Sequence, residues 1–344
     1  MWTFPKVSSF KKRGQATFSP GNAPNKEFSY FSRKSSLSPF LSFSLGDVSI
    51  LQRERNCDNF SNMKVALVQF SPHLADVKKN LNLHLQYIEK AKKKNVDLLV
   101  FPELSLTGYT LKDFVEEVAI APEENPLIEK LKAQSRRISL VFGFVEEKEK
   151  GVFYNSAAFL SGGKILHIHR KVFLPTFGMF EEAKFFAQGK NFNTFSTPYG
   201  NAGMMICRDF LTYGASYLLF AGGAEIIIVI SAAPGRGVSG EEYYETSHMW
   251  EVMGEVISRF STTFLIYCNR VGFEDGKHFA GGSFIFNPAG ELIAKASYVD
   301  KDFLIQDINL SDIRETRKKW PYKRDDKPEV ILEALKRIVS KYED

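Results

Sequence analysis

What most constrains the fold of this chain is an alternation that begins at Met63. Wholly apolar runs at 65–68, 98–101 and 226–230 are separated by segments with apolar residues at helical spacing. Such a run is too short to be a helix and has no polar face, so it reads as a strand buried on both sides. Residues 64–70 form the first strand, 80–94 a helix with Leu81, Leu85, Ile88 and Ala91 on one side, and 98–101 the next strand. The order strand, helix, strand predicts a βαβ unit and an α/β protein.

Further along, a helix over 126–137 opens on Pro126, whose missing N–H is harmless in a first turn. Strands at 140–146, 154–160 and 164–170 follow, the last two joined by Ser161-Gly162-Gly163 as a hairpin turn. A long aromatic loop, 172–189, precedes Cys207. Beyond it the pattern predicts a helix at 213–221, a strand at 226–230, a helix at 243–260 and a strand at 264–268. A second hairpin joins 281–286 to 291–294 through Asn287-Pro288-Ala289-Gly290, and strand 303–308 and helix 328–342 complete the pattern. No compositional break interrupts 63–344, so one domain of mixed sheets covered by helices is expected.

Residues 1–62 differ. They are rich in Ser and Phe, contain Pro20, Pro24 and Pro39, and hold nine Lys/Arg against four Asp/Glu. Without a sustained period they predict disorder or loose attachment. Their basic start resembles an organelle transit peptide; the preferred alternative is an upstream extension from start-site choice, because Met63 opens a strong strand. With 45 Lys/Arg and 40 Asp/Glu in all, the body keeps 36 of each, which gives no electrostatic case for a nucleic-acid partner. No apolar run is long enough to span a membrane as a helix. The three cysteines, Cys57, Cys207 and Cys268, are odd in number and form no CxxC pair. That pattern argues against a disulfide framework or a zinc site and for a reducing, cytoplasmic setting.

The chemistry gathers at strand ends. Glu103 follows strand 98–101, Lys171 follows strand 164–170, and Cys207 follows the apolar run 203–206, at the start of a polar segment. Alone, each has a bland account: free cysteine is usually buried, and glutamate or lysine after a strand is usually solvated. In an α/β sheet, however, strand ends converge on one crevice. A turn from strand to helix start offers a thiol both access and a lowered pKa. Together the three form a complete set: a carboxylate to take the thiol proton, an ammonium to stabilise an oxyanion, and a thiolate to attack carbon.

Three local sequences carry a resemblance. Phe101-Pro102-Glu103-Leu104-Ser105-Leu106-Thr107-Gly108-Tyr109, Arg170-Lys171-Val172-Phe173-Leu174-Pro175 and Gly203-Met204-Met205-Ile206-Cys207-Arg208-Asp209 resemble the three motifs of the nitrilase superfamily, the carbon-nitrogen hydrolases. Asn269-Arg270-Val271-Gly272 with 279–283 and 288–290 resembles the late hairpin of that family. The resemblance implies a four-layer αββα sandwich, assembled as a homodimer or higher homo-oligomer through its outer helices. It implies Glu103 as base and then acid, Lys171 and the Arg208 N–H at the oxyanion, and Cys207 as the nucleophile that forms a thioester. It implies no metal and no organic cofactor, and a small-molecule amide as substrate.

The run 174–182 resembles the glutaminase domain of glutamine-dependent NAD synthetase, whose second glutamate would match Glu182, with Glu181 as the fallback. Residues 231–235 resemble that domain as well, although no segment of this sequence reads as the ATP-dependent synthetase domain. After the cysteine, Arg208-Asp209-Phe210-Leu211-Thr212-Tyr213 departs from the common family run, which leaves the substrate open. Arg208 is expected either on an acidic substrate group or on a neighbouring carboxylate. Tyr109, Phe177 and Tyr213 are candidate pocket walls, though aromatic residues are plentiful in this chain and most are core. His167 and His169 alternate on a strand and are read as strand-face or core residues rather than metal ligands. The expected activity is amide hydrolysis; nitrile or N-carbamoyl hydrolysis, a glutaminase subunit serving a separate synthetase, and a catalytically idle binding member are the alternatives.

Overall fold

The first apolar run becomes β1 (Asn62–Gln69), followed by α1 (Val77–Lys92), whose N-terminus is capped by the Asp76 carboxylate on the Lys79 N–H. The structure, a computed structural model, describes residues 62–123, 125–236 and 244–342, so the expected extension over 1–62 lies outside it save for Asn62. Continuing in order come β2 (Leu98–Val100), α2 (Val115–Val118), α3 (Pro126–Gln134), β3 (Ser139–Glu149), β4 (Val152–Ser161), β5 (Lys164–Arg170) and α4 (Glu182–Phe185). The second half holds β6 (Thr194–Thr197), β7 (Gly200–Ile206), α5 (Tyr213–Ala221), β8 (Ile226–Ser231), α6 (Glu245–Ser261), β9 (Phe264–Asn269), β10 (Gly272–Glu274) and β11 (Lys277–Phe279). It ends with β12 (Phe284–Phe286), β13 (Leu292–Lys295), β14 (Asp302–Asn309), α7 (Ser311–Lys319), α8 (Tyr322–Asp325) and α9 (Pro328–Val339).

Two six-stranded sheets result, in the orders β14-β1-β2-β3-β4-β5 and β6-β7-β8-β9-β12-β13. Both read, from the first edge, antiparallel, parallel, parallel, antiparallel, antiparallel. β1 shows how one strand serves two layers, since its alternate side chains point to opposite faces. Ala66 and Val68 pack with Leu81, Ile88, Ile128 and Leu131 of α1 and α3, whereas Val65 and Leu67 join Met204, Ile228 and Ile266 of the other sheet. Leu219, Trp250 and Ile257 bring α5 and α6 onto the second sheet. The layering is the expected αββα sandwich.

Most predicted elements are present, and β5 and α5 have the predicted bounds. The turn between β4 and β5 carries Gly162 and Gly163 at φ of 61° and 81°, the pair of positive angles a two-residue hairpin requires. Several short or polar elements escape the sequence pattern, among them β6, β10, β11 and α7. β6 is a four-residue polar edge strand, β10 and β11 have three residues each, and α7 is almost wholly charged with only Ile313 buried. None offers a hydrophobic period to detect. Among the described residues no helix is long and apolar enough to cross a membrane.

The turn after β2 lies directly against β3. At Gly143 a Cβ would stand 2.2 Å from the Leu104 nitrogen and 2.9 Å from the Glu103 carbonyl carbon. Backbone cannot move aside as a flexible side chain can, so Gly143→Ala is expected to lower stability by about 1–3 kcal/mol. A urea midpoint equal to that of the wild type would show that the Glu103 turn is not held against β3.

Candidate active site

Glu103 and Lys171 come from one sheet and Cys207 from the other. Glu103 lies just beyond β2, in a turn where Leu104 takes a left-handed φ of 47°. Its side chain is wholly buried, and both oxygens are satisfied. Oε1 accepts from Asn155 Nδ2 at 2.7 Å and from Lys171 Nζ at 2.7 Å, and Oε2 accepts from the Ala232 N–H at 2.7 Å.

Lys171 leaves β5 with its backbone pinned on both sides. Its N–H donates to the Asn155 carbonyl at 2.9 Å, and its carbonyl accepts from the Gly189 N–H at 2.8 Å. The buried ammonium donates at 2.7 Å to Glu182 Oε1 as well as to Glu103. Burial works against the charge, but the two carboxylates outweigh it and hold the lysine above its ordinary pKa. Glu182, not Glu181, is therefore the second glutamate at the lysine: it sits 4% exposed in the first turn of α4, while Glu181 is exposed. Tyr109 donates its hydroxyl to the same Glu182 oxygen at 2.5 Å.

Cys207 stands where β7 gives way to a five-residue 3₁₀ turn, Cys207–Leu211, with a left-handed φ of 46°. Strained non-glycine backbone of this kind persists where the surroundings over-determine it. Here Asp209 does so: it accepts from the Ile206 N–H at 3.2 Å, from the Val172 and Phe173 N–H groups at 3.0 and 2.9 Å, and pairs with His169 Nε2 at 2.9 Å. One buried carboxylate thus ties the cysteine turn to the segment after Lys171. The expected lowering of the thiol pKa does not occur. Burial pushes Cys207 up to about 12, the Glu103 carboxylate adds to the rise, and the Lys171 ammonium only partly offsets it. A five-residue 3₁₀ turn has too few aligned peptides to counter that burial.

The thiol reaches a cavity of about 120 Å³ walled by Phe177, Phe180, Leu211, Pro234, Met249 and Trp250. Phe177 is an exposed rim residue packed edge-on against Phe180. Arg208 and Arg236 also line the cavity, and among the described residues there is no acid on its wall. Arg208 donates to Thr212 Oγ1 at 3.0 Å, so its expected carboxylate partner is not found within the protein among the described residues. Neither Tyr109 nor Tyr213 is on this wall: Tyr109 stands on Glu182, beside a separate cavity, and Tyr213 opens α5 with its ring in solvent. His167 stacks on Phe195 and His169 serves Asp209. Among the described residues no group of three or more His, Cys, Asp or Glu could hold a metal ion.

Residues 64–318 match the family described as carbon-nitrogen hydrolase. The chain belongs to the carbon-nitrogen hydrolases. It is an enzyme of the class that acts on carbon–nitrogen bonds. It is 31% identical over 256 residues to the glutamine-dependent NAD(+) synthetase of Acinetobacter baylyi, a match covering 74% of this chain and 45% of that protein. The hydrolase thus spans under half the length of this synthetase. It is 27% identical to omega-amidase NIT2-B of Xenopus laevis over 273 residues, 77% of this chain and 95% of that one. Among solved structures, the carbon-nitrogen hydrolase from Helicobacter pylori G27 superposes with a TM-score of 0.68 at 26% identity, covering 80% of this chain and 99% of its own.

Sequence reasoning missed three parts of the hydrolase's site: Asn155, the Ala232 N–H and Asp209 with His169. Asn155 carried a signal, since asparagine is a poor strand former set in a strand that is otherwise mostly apolar. A backbone N–H carries none. Glu182 adds a measurable property. Burial pushes its carboxyl up to about 7, although Lys171 pulls the other way, and Glu103 adds to the rise. Between its ordinary value of 4.5 and about 7 the folded state keeps a proton that the unfolded chain has released, so stability falls as pH rises through that window. Removing the carboxyl with Glu182→Gln should cancel a slope on the order of 3 kcal/mol across it. Urea unfolding of both proteins at several pH values checks this, and parallel curves would make Glu182 an ordinary carboxylate.

Proposed function

We propose that this hydrolase cleaves a small linear amide bearing a carboxylate at its far end, by way of a thioester on Cys207. The observation that supports this most is the Cys207 thiol on the cavity wall with the buried Glu103, Lys171 and Glu182 network beside it. A thiol raised to about 12 is neutral at working pH, so attack needs a base at hand. Glu103 takes the thiol proton as Sγ bonds to the carbonyl carbon, and the Lys171 ammonium stabilises the oxygen that gains charge. Collapse breaks the carbon–nitrogen bond, and Glu103 passes its proton to the leaving nitrogen. Water then gives a proton to Glu103 while its oxygen attacks the thioester. The second collapse releases the acid and returns the proton to sulfur. Lys171 stays charged throughout, because two carboxylates face it.

The carboxylate on the substrate follows from Arg208 and Arg236. Both border a cavity whose described lining is mainly apolar, and among the described residues neither guanidinium is ion-paired. A substrate carboxylate would be the planar partner that guanidinium groups match. Glutamine is such an amide. The likeness to a glutamine-dependent synthetase over under half of its length favours, as a second reading, a glutaminase that feeds ammonia to a separate partner.

The test is ammonia release from neutral amides, monoamides of dicarboxylic acids, glutamine, N-carbamoyl compounds and nitriles. Cys207→Ala should lower turnover by about 10⁴-fold or more. Arg236→Ala should raise KM about tenfold for the acidic amides, a change of about 1.4 kcal/mol, and leave neutral amides little changed. Equal effects on both groups would remove the carboxylate from the proposal. No turnover across the panel, with Cys207 inert to iodoacetamide, would leave a binding member of the family.

A further inference from the structure

We infer that Arg270 and Glu274 are a positioning pair that sets the Tyr109 hydroxyl against Glu182, and through it the Lys171 ammonium; this rests on the amide hydrolysis proposed above. Neither residue touches the cavity at Cys207. Arg270 follows β9, is wholly buried, and donates from Nη1 to Glu274 Oε2 at 2.7 Å. The other oxygen of Glu274 accepts two successive backbone N–H groups, Tyr109 at 3.0 Å and Thr110 at 2.7 Å. Gly108 makes this approach possible: a Cβ there would stand 3.0 Å from Glu274 Oε2 and 2.8 Å from Leu74 Cα.

Arg270 bears on the ring of Tyr109 through Phe279, and Phe180 packs against that ring as well. The Tyr109 ring meets Phe279 edge-on at 5.7 Å, and the Arg270 guanidinium lies 4.1 Å over the Phe279 ring. Backbone and ring held together leave the hydroxyl one direction, onto the Glu182 oxygen that also receives Lys171. As a device for stability alone the pair is poorly made. Two charges are out of water, and Nε and Nη2 of Arg270 have no partner among the described residues. Apolar side chains of similar volume would remove the cost of burying the two charges. What they could not do is accept both N–H groups at 109 and 110.

That difference is the test. Replacing both members, Arg270→Leu with Glu274→Leu, removes the clamp without leaving a lone buried charge. The thermal midpoint should fall by several degrees, because the Tyr109 and Thr110 N–H groups lose their acceptor, while kcat on the amide found in the panel falls about tenfold. KM should change less, and the pH–rate profile should shift. Tyr109→Phe should give a similar loss, and combining it with the pair replacement should add little, because both act through one hydroxyl. A folded variant with wild-type kcat and pH profile, or losses that multiply, would overturn the inference. If the pair replacement does not fold, Arg270→Met with Glu274→Met takes its place in the same cycle, with the same criterion. Should the wild type turn over no amide, the proposed function fails by itself. The coupling is then read from the pH dependence of Cys207 alkylation by iodoacetamide: equal, non-additive shifts in the two variants support the pair, and independent shifts overturn it.

Discussion

The buried ammonium of Lys171 between two carboxylates is the interaction on which this site is built. Taking three ionisable groups out of water is unfavourable unless each remaining lone pair and proton is matched. The protein supplies most of those matches from scattered places: Asn155 from β4, the Ala232 N–H after β8, and the Tyr109 hydroxyl from the turn after β2, while Glu182 Oε2 has no partner among the described residues. Glu182 absorbs the surplus negative charge by holding its proton more tightly than a free carboxyl would.

The two sheets share one pattern of strand directions, and this explains how the parts meet. Glu103 and Lys171 leave the ends of β2 and β5, which run the same way in the first sheet, and Cys207 leaves β7 in the second. Packing the sheets face to face brings those ends together. Asp209 then locks the junction, since its four partners lie on both sides of it. The strained backbone at Cys207 persists because this carboxylate leaves the turn no alternative.

A thiol in such a place is not a standing nucleophile. Its burial beside Glu103 keeps it protonated, so the proposed mechanism requires a proton transfer coupled to attack rather than a stored thiolate. Among the described residues the cavity is mainly apolar with two arginines on its border, which is the ground for the proposed substrate with an anionic end.

Much of this was legible in the chain. Apolar runs gave the strands, helical spacing gave α1, α3, α5 and α6, and three motifs pointed to Glu103, Lys171 and Cys207, with Glu182 chosen ahead of Glu181. Phe177 and Arg208 do border the cavity, whereas Tyr109, expected on its wall, stands behind Glu182. Short or uniformly charged elements such as β6, β10 and α7 left no period to read. Sequence by itself determined which residue types stand at which strand ends, because local propensity and periodicity act over a few residues. Only the tertiary structure decided the direction of the Cys207 pKa shift, the partners of Asp209 and the clamp on Tyr109. Each of these depends on distance and desolvation between segments far apart in the chain, and neither quantity is written in the order of the residues.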